Sequence, residues 1–394
     1  TDPANYRPIS LLNAQYKLFA AMIQKRLAYN LETRLRDTQF GFRAKLGTRD
    51  SLFVLRRLME WTTMTAHHTQ LLFLDWKQAF DSVDHSAMMN ALQRFGLPKD
   101  CLTLIDSIYT LPSFTTRGFM GAEAHGVVNS GIRQGCPLSP YLFIIVLSVI
   151  FADLDERLIQ QGTPTNTWSE GNPVYDIEYA DDTLLFALTT PQLQPILNAL
   201  KWEAACYGMS LKNSNTELLV EDSSLPSSLS LIDVTPVNTT TQVKYLGSLV
   251  SWNKPFETAF YHRAGLAETS YKSLRLVWNS SLPHRTKVRI FQATFVPILI
   301  YGLEAFPLTN KHLLRIDATY FKFLRRVIGV KASYFSRTSN HTVHHQAGYP
   351  TRPSMRLAKA QLKYLHQVYL QKTTIQHSVV FCSAYKDRIV AQGR

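Results

Sequence analysis

Two adjacent carboxylates, Asp181 and Asp182, follow Tyr179 and Ala180 between two short runs that read as β-strands. Adjacent carboxylates repel each other, so a turn that carries both needs a counter-charge near neutral pH, or a raised pKa for one group. A divalent cation would supply that counter-charge. Taken alone, such a pair is also typical of a solvated turn, so the metal interpretation depends on the rest of the chain.

A third carboxylate, Asp75, directly follows the apolar run at residues 71–74. If this run pairs with the segment around Asp181 in one sheet, three acidic groups converge at one place. Oxygen-only ligands of this kind suit Mg²⁺. Two such ions could stabilise the attacking and leaving oxygens of a phosphoryl transfer.

The charge is distributed unevenly along the 394 residues. The net charge is +6 over residues 1–70, −10 over residues 71–250 and +17 over residues 251–394. Basic flanks would hold a polyanion by neutralising its phosphates, whereas an acidic centre would hold cations. The same pattern also fits three unrelated solvated surfaces.

The four cysteines are scattered without a C-x-x-C pair, which argues against a zinc knuckle or a disulfide framework and fits a reducing compartment. The longest apolar run, residues 141–152, is too short to span a bilayer, and no secretory signal is visible. The chain begins without Met, so we expect it to be a fragment of a longer protein.

Hydrophobic periodicity predicts the elements that position these residues. The predicted helices and strands are a basic helix at 14–36, a strand at 71–74, a helix ending at 95, a hairpin at 115–128, a long apolar helix ending near 158, a helix at 191–207, strands at 216–220 and 243–250, and basic helices at 256–278, 285–301, 311–330 and 352–371. In the third basic helix, cations alternate with aromatic residues, which is typical of a nucleic-acid groove. Those residues are Tyr320, Phe321, Lys322, Phe323, Arg325 and Arg326, with Lys331 nearby.

Two glycine-containing loops could approach a ligand. The loop at 39–49 carries Arg43 and Lys45, which could cradle a triphosphate, although a plain surface loop fits equally well. The loop at 130–140 carries Gln134 beside Gly135 and leads into the long apolar helix, so it is either a ligand-contacting loop or an ordinary capped loop.

Taken in order, these segments resemble a reverse transcriptase of the non-LTR (LINE-like) retrotransposon family over nearly the whole chain. The matching segments are NYRPISLL at 5–12, QFGFR at 39–43, FLD at 73–75, AFD at 79–81, GIRQGCPLSP at 131–140, YADD at 179–182, YLG at 245–247, ILIYG at 298–302 and LRRVIG at 324–329.

The resemblance implies an α+β, right-hand polymerase fold with fingers, a palm built on an antiparallel sheet, and a helical thumb. The implied domains are fingers at 1–70 with part of 85–126, a palm at 71–250, a basic helical thumb at 251–345 and a basic helical C-terminal extension at 346–394.

The resemblance also implies that Asp75, Asp181 and Asp182 are the catalytic residues and the metal ligands. The implied cofactor is Mg²⁺, with Mn²⁺ as an alternative.

For the substrate, the resemblance implies that Phe80 excludes a ribose 2′-hydroxyl and that Arg43 contacts the triphosphate. Gln134 and Gly135 would line the pocket for the incoming nucleotide and the template. Phe80 is also five residues from the Asp75 carboxylate, close enough to wall a pocket there, although a single Phe is commonly core.

One position departs from the family pattern. Asn215 stands where the family usually has a Lys that protonates or stabilises the leaving pyrophosphate. An Asn side chain cannot act as that acid. Lys212, three residues away, is the candidate substitute.

The function implied is RNA-directed DNA polymerase activity with an RNA template, a DNA primer or nicked target DNA, and dNTPs. No membrane partner is expected, and the expected location is intracellular, in the nucleus or alternatively the cytoplasm. Three other readings stay open: a catalytically decayed remnant that only binds nucleic acid, a viral RNA-dependent RNA polymerase, and a group II intron maturase.

Overall fold

The computed structural model describes residues 9–65, 69–110, 113–117, 121, 123–128, 130–163, 167–169, 172–187, 190–221, 229–230, 236–371 and 375–376. The chain divides into two compact units. The first contains Thr1–Ser51 and Trp61–Thr240, and the second contains Leu52–Glu60 and Thr241–Arg394. The predicted division into fingers, palm, thumb and C-terminal extension stays a prediction.

The first unit mixes helices and strands. Its elements are α1 (Ala14–Leu31), α2 (Thr48–Thr65, partly in the second unit), β1 (Gln70–Leu74), α3 (Ala79–Ser82), α4 (His85–Phe95), α5 (Lys99–Tyr109), β2 (Ser113–Arg117), β3 (Glu123–Val127), α6 (Ser139–Gln160), β4 (Thr167–Ser169), β5 (Asn172–Pro173), β6 (Asp176–Tyr179), β7 (Asp182–Ala187), α7 (Thr190–Ala205), β8 (Glu217–Leu219) and β9 (Asn238–Thr240). Short 3₁₀ turns span Glu32–Arg34 and Asn213–Asn215.

A five-stranded sheet in the order β6-β7-β1-β8-β9 forms the centre of this unit. All pairs are antiparallel except β8 with β9. Strand β1 is paired on both sides, and its Leu74 lies opposite Thr183 of β7. The strand pairing on which the convergence of Asp75 with Asp181 depends is therefore present.

Helix α6 supplies much of the apolar core against which the sheet packs. Its residues 141–147 are all buried, because this helix is apolar on every side rather than on one face. Helix α4 begins where the Asp84 carboxylate accepts a hydrogen bond from the Ala87 N–H at 2.9 Å, so Asp84 is its N-cap. It ends at Gly96, whose left-handed φ of 97° stops the helix.

The second unit consists mainly of helices. Its elements are β10 (Val243–Tyr245), β11 (Ser248–Val250), α8 (Pro255–Ser273), α9 (Arg275–Trp278), α10 (His284–Ile300), α11 (Asn310–Val327), α12 (Ser333–Ser336), α13 (Asn340–Gln346) and α14 (Pro353–Leu370), with a 3₁₀ turn at Leu303–Ala305. The single strand predicted at 243–250 is a hairpin instead, because the backbone reverses at Leu246 and Gly247, which both have positive φ.

The predicted basic and aromatic groove on α11 is wrong in its aromatic part. Tyr320, Phe321 and Phe323 are buried in the core of the second unit, where Phe323 packs against Phe295. Arg325 is also buried and donates hydrogen bonds to the Thr338 carbonyl and to the Asn340 side chain. The aromatic residues of α11 therefore cannot stack on nucleic-acid bases.

Among the described residues, every helix is too short or too polar to cross a lipid bilayer.

Candidate active site

The Asp181 carboxylate lies on a two-residue turn between β6 and β7. Tyr179 and Asp182 pair across the hairpin, so Ala180 and Asp181 form its tip. Ala180 has a φ of 56°, a conformation that non-glycine residues rarely adopt and that costs free energy unless the surroundings hold it. The indole N–H of Trp76, just after β1, donates to the Thr183 hydroxyl at 3.0 Å and ties the end of β1 to the hairpin.

The strained turn is held by the side chain of Gln39, which is fully buried. Its Oε1 accepts hydrogen bonds from the backbone N–H groups of Ala180 and Gly41, both at 2.8 Å. Its Nε2 donates to Glu178 Oε2 at 2.8 Å and to the Ala180 carbonyl at 3.4 Å. A Cβ on Gly41 would lie 2.2 Å from the Ala180 nitrogen, so only glycine fits there. The sequence analysis assigned no role to Gln39. The only feature that marks this residue in the sequence is its position two residues before a glycine.

A network of buried charges lies behind the turn. Arg36 is paired with Asp155 at 2.5 Å and with Asp176 at 2.7 Å, and Thr38 also donates to the Asp176 carboxylate. Burial raises the pKa of Glu178 well above its ordinary value, and the neighbouring Asp176 carboxylate raises it further, while Arg36 acts in the opposite direction. The raised pKa favours the protonated form of Glu178, which does not repel the neighbouring Asp176 carboxylate.

Asp75 and Asp181 line one cavity of about 600 Å³ at the end of β1. Asn215 donates a hydrogen bond from Nδ2 to Asp75 Oδ2 at 2.8 Å, and the Lys212 N–H donates to the Asp75 carbonyl at 2.7 Å. The Lys212 side chain is exposed and also lines the cavity. The structure thus puts Lys212 in the cavity and uses Asn215 to orient the Asp75 carboxylate.

Asp182 is placed differently from the other two carboxylates. It is the exposed first residue of β7 and lies outside the lining of the cavity. Within the part of the chain that the structure describes, no group of three or more His, Cys, Asp and Glu side chains is placed to hold a metal ion. The structure therefore brings Asp75 and Asp181 together and leaves Asp182 at the margin. Two carboxylates still fit Mg²⁺, which commonly binds one or two carboxylates and completes its shell with water and substrate phosphates.

Phe80 is a fixed wall of the same cavity. Its ring stacks on Phe143 of α6 with centroids 4.3 Å apart and an interplanar angle of 21°. The Phe42 ring meets it edge to face, with centroids 6.3 Å apart, and Phe42 also lines the cavity. Packing from two sides restricts rotation of the Phe80 ring. The position five residues after Asp75 therefore does wall the pocket, as its spacing predicts.

Gln134 and Gly135 also line the cavity. Gln134 Nε2 donates to both carboxylate oxygens of Asp81, at 3.0 and 2.9 Å, which fixes the amide. Gly135 has a φ of 107°, and a Cβ there would lie 2.7 Å from the Ser10 carbonyl oxygen. A glycine is thus required for the close approach of this loop to the segment at Ser10.

Arg43 does not occupy the position that the sequence predicts. Its guanidinium donates to Glu32 Oε1 at 2.8 Å and to three backbone carbonyls, those of Glu32, Arg36 and Gln39. Its side chain is 10% exposed and lies outside the cavity lining. The structure therefore argues against a triphosphate contact and corrects the prediction: these contacts make Arg43 a brace of its own loop.

The cations that do line the cavity are Lys77, Arg133 and Lys212. Lys77 and Lys212 are exposed, while Arg133 donates to the Ile108 carbonyl at 2.9 Å. Sequence reasoning missed Lys77, although its place two residues after Asp75 was a usable signal. The cavity thus combines three carboxylates, those of Asp75, Asp181 and the Gln134-bonded Asp81, with three cations and an aromatic wall, which suits a nucleoside triphosphate with bound cations.

Comparison with known proteins identifies the family. The family described as "Reverse transcriptase (RNA-dependent DNA polymerase)" matches residues 1–250. The Pol polyprotein of the type-1 retrotransposable element R2 of Popillia japonica is 26% identical over 326 residues, which cover 80% of this chain and 44% of that protein. The RNA-directed DNA polymerase from the mobile element jockey of Drosophila funebris is 25% identical, covering 86% of this chain and 37% of that protein. The chain thus spans less than half the length of these relatives.

A solved structure of similar fold is telomerase from Candida albicans in complex with the TWJ fragment of telomeric RNA. It covers 83% of this chain and 58% of its own, with a TM-score of 0.54 and 10% sequence identity. This likeness concerns the fold alone, and it confirms the α+β polymerase fold that the sequence predicts. Fold, motifs and relatives agree that this chain belongs to the reverse transcriptase (RNA-dependent DNA polymerase) family, of the non-LTR retrotransposon type.

Proposed function

We propose that the chain is an RNA-directed DNA polymerase that extends a DNA primer, or the 3′ end of nicked target DNA, with dNTPs on an RNA template. The observation that carries this proposal is the shared cavity of Asp75 and Asp181, walled by the fixed ring of Phe80. The family match and the names of the relatives support the same activity.

Asp75 and Asp181 would hold Mg²⁺ or Mn²⁺, with Asp182 as an outer carboxylate. When bound, the metal supplies positive charge that stabilises the attacking and leaving oxygens. Asn215 keeps the Asp75 carboxylate oriented, and Gln39 keeps the Asp181 turn in place.

In the reaction, the primer 3′-hydroxyl loses its proton to solvent and its oxygen forms a bond to the α-phosphorus of the dNTP, while the bond between that phosphorus and the β-phosphate oxygen breaks. Lys77, Arg133 and Lys212 supply counter-charge for the triphosphate in the cavity. Lys212 also donates a proton to the leaving pyrophosphate, because Asn215 has no acidic proton to give.

Phe80 selects the sugar. A ring that is packed on Phe143 and Phe42 cannot move aside for a ribose 2′-hydroxyl, so dNTPs are preferred over rNTPs. Gln134, held by Asp81, and Gly135 line the place of the nucleotide and the template base.

Primer extension on an RNA template, with dNTPs and with or without Mg²⁺, tests the proposal. We expect wild type to extend only with Mg²⁺, and Asp181→Asn to lower the rate by about a thousandfold or more, since metal-held charge contributes several kcal/mol. Nucleic-acid affinity should be unchanged in this variant. The matched control is Asp100→Asn, because Asp100 is an exposed carboxylate on α5 away from the cavity.

Three outcomes would overturn the proposal. Wild type that binds primer and template without adding a nucleotide would identify a decayed remnant, with Asn215→Lys as the rescue to try. Extension with rNTPs in preference to dNTPs would identify an RNA polymerase. Equal losses in Asp181→Asn and Asp100→Asn would remove Asp181 from the site.

A further inference from the structure

A second cavity, of about 540 Å³, lies within the second unit. One wall is a face of α10 that carries Arg285, Arg289 and Gln292, at the spacing that places residues on adjacent turns of one helix face. The opposite wall comes from the turn at 347–350 and from Arg356 of α14. None of the described residues that line this cavity is an Asp or a Glu.

Arg356 is oriented by two successive hydrogen bonds that lead into the core. Its guanidinium donates to Gln292 Oε1 at 2.6 Å, and Gln292 Nε2 donates to the Tyr320 hydroxyl at 2.7 Å. Tyr320 is fully buried, so the chain is anchored in the core of the unit. Only one N–H of the Arg356 guanidinium is used by Gln292, which leaves donors for a ligand.

Arg285 and Arg289 are exposed and make no hydrogen bond or ion pair with the described residues. The nearby carboxylate of Asp317 is occupied, because it accepts hydrogen bonds from the Ser354 N–H and hydroxyl. Three guanidinium groups thus line one cavity whose described lining contains no carboxylate. Guanidinium groups match the oxygens of phosphate, often with two parallel hydrogen bonds.

We propose that this arginine-lined cavity, formed by Arg285, Arg289 and Arg356 with Gln292, binds the phosphodiester groups of a nucleic-acid strand. The inference rests on the proposed function in one respect, namely that the strand belongs to the template or primer of the polymerase. The occupant is a phosphate-bearing strand rather than an acidic peptide, because the cavity lies in a segment, 251–394, with a net charge of +17, in a chain whose residues 1–250 match a polymerase family.

The test is fluorescence anisotropy of a labelled single-stranded RNA with the whole chain, over a series of KCl concentrations. We expect the double variant Arg285→Ala/Arg289→Ala to bind about tenfold more weakly or worse at low salt. Its slope of log affinity against log salt should fall by about 1.4, since each lost phosphate contact on a single strand removes about 0.7. Gln292→Glu should also weaken binding, because it keeps the contact to Arg356 but puts a negative charge in the cavity.

The control variant is Arg275→Ala/Lys363→Ala, which removes the same charge from two exposed positions of the second unit outside the cavity. Equal losses in the two double variants would overturn the proposal, because binding would then depend on charge alone. Unchanged RNA binding in Arg285→Ala/Arg289→Ala would also overturn it.

Competitors identify the occupant. Inorganic phosphate, a dNTP or poly-glutamate is added to wild type and to the double variant. Displacement of RNA by phosphate or a dNTP that requires Arg285 and Arg289 would support the proposal, because strand and competitor would then share the cavity. Tighter binding of poly-glutamate than of RNA that requires both arginines would overturn it. Primer extension at saturating primer and template is measured in parallel. Normal extension with unchanged RNA binding in the double variant would refute this inference and leave the proposed function standing. Absent extension by wild type, together with the expected loss of RNA binding in the double variant, would refute the proposed function and leave this inference standing.

Discussion

Two pairs of arginines, one pair in each unit, are used in opposite ways. In the first unit, Arg36 and Arg43 are largely buried and bonded to carboxylates or carbonyls of the same unit. In the second unit, Arg285 and Arg289 are exposed on the wall of a cavity whose described lining carries no carboxylate. The sequence shows four similar cations, but the structure gives only the second pair the freedom to bind an external phosphate.

The difference shows that local charge is a poor guide to anion binding. A buried guanidinium has already exchanged water for fixed acceptors, and a ligand would have to displace them at a large cost. An exposed guanidinium without a partner loses little when a phosphate arrives. This contrast explains why the position of Arg43 in the loop at 39–49 suggested a triphosphate contact that the structure does not support. The contrast can be tested by substituting arginines of each kind.

The largest effect is expected from Arg36→Met. This change leaves the Asp155 and Asp176 carboxylates without their cation, and breaking a buried pair costs about 3–5 kcal/mol of the free energy of unfolding. Urea unfolding measures this loss. The control is Arg26→Met, at an exposed position on α1, which should change stability by less than about 0.5 kcal/mol. A loss below about 1 kcal/mol for Arg36→Met would show that the network is not stabilising.

Arg43→Met should lower the free energy of unfolding by a smaller amount, about 1–3 kcal/mol. In this variant three backbone carbonyls and Glu32 lose their hydrogen-bond donor. At a temperature where the variant is folded, its KM for dNTPs should stay within about twofold of wild type, because the substitution removes no contact to the dNTP. A KM raised tenfold with unchanged urea unfolding would restore the triphosphate role to Arg43.

Sequence patterns were sufficient to predict the structural features that depend on local periodicity and on the order of the motifs. They placed Asp75 and Asp181 at adjacent strand ends and Phe80 on the cavity wall, since strand alternation and short spacings determine these positions. They did not predict the partners of Arg43. They also did not predict the hydrogen bond between Gln39 and Ala180, two residues that are 141 positions apart in the sequence. Such partners are set by tertiary packing, and no local pattern in one sequence encodes them.

Glu178→Gln tests the buried network through its pH dependence. The raised pKa means that folded Glu178 keeps its proton while unfolded Glu178 ionises above its ordinary pKa of 4.5. Its contribution to stability is therefore complete below pH 4.5 and is lost as pH rises toward the folded pKa, by up to about 1.4 kcal/mol per pH unit. The amide introduced by Glu178→Gln does not titrate, yet it can still accept from Gln39 and donate to Asp176.

We expect the stability of Glu178→Gln relative to wild type to increase between pH 5 and pH 8, as measured by urea unfolding. Arg36, 3.9 Å from Glu178 Oε1, and the hydrogen bond from Gln39 oppose this trend, because both favour the ionised form. Glu156→Gln, at an exposed position on α6, should run parallel to wild type. Parallel curves for Glu178→Gln as well would show that Arg36 keeps Glu178 ionised in the folded protein.

The smallest change in stability is expected from Arg285→Ala/Arg289→Ala. Both side chains are exposed and lack partners among the described residues, so the free energy of unfolding should change by less than about 0.5 kcal/mol in urea. The same variant should lose RNA affinity and salt dependence, whereas Arg43→Met should lose stability without a matching loss in RNA affinity. A stability loss above about 1 kcal/mol for the double variant would mean that these arginines serve the fold, and the contrast between the two units would then fail.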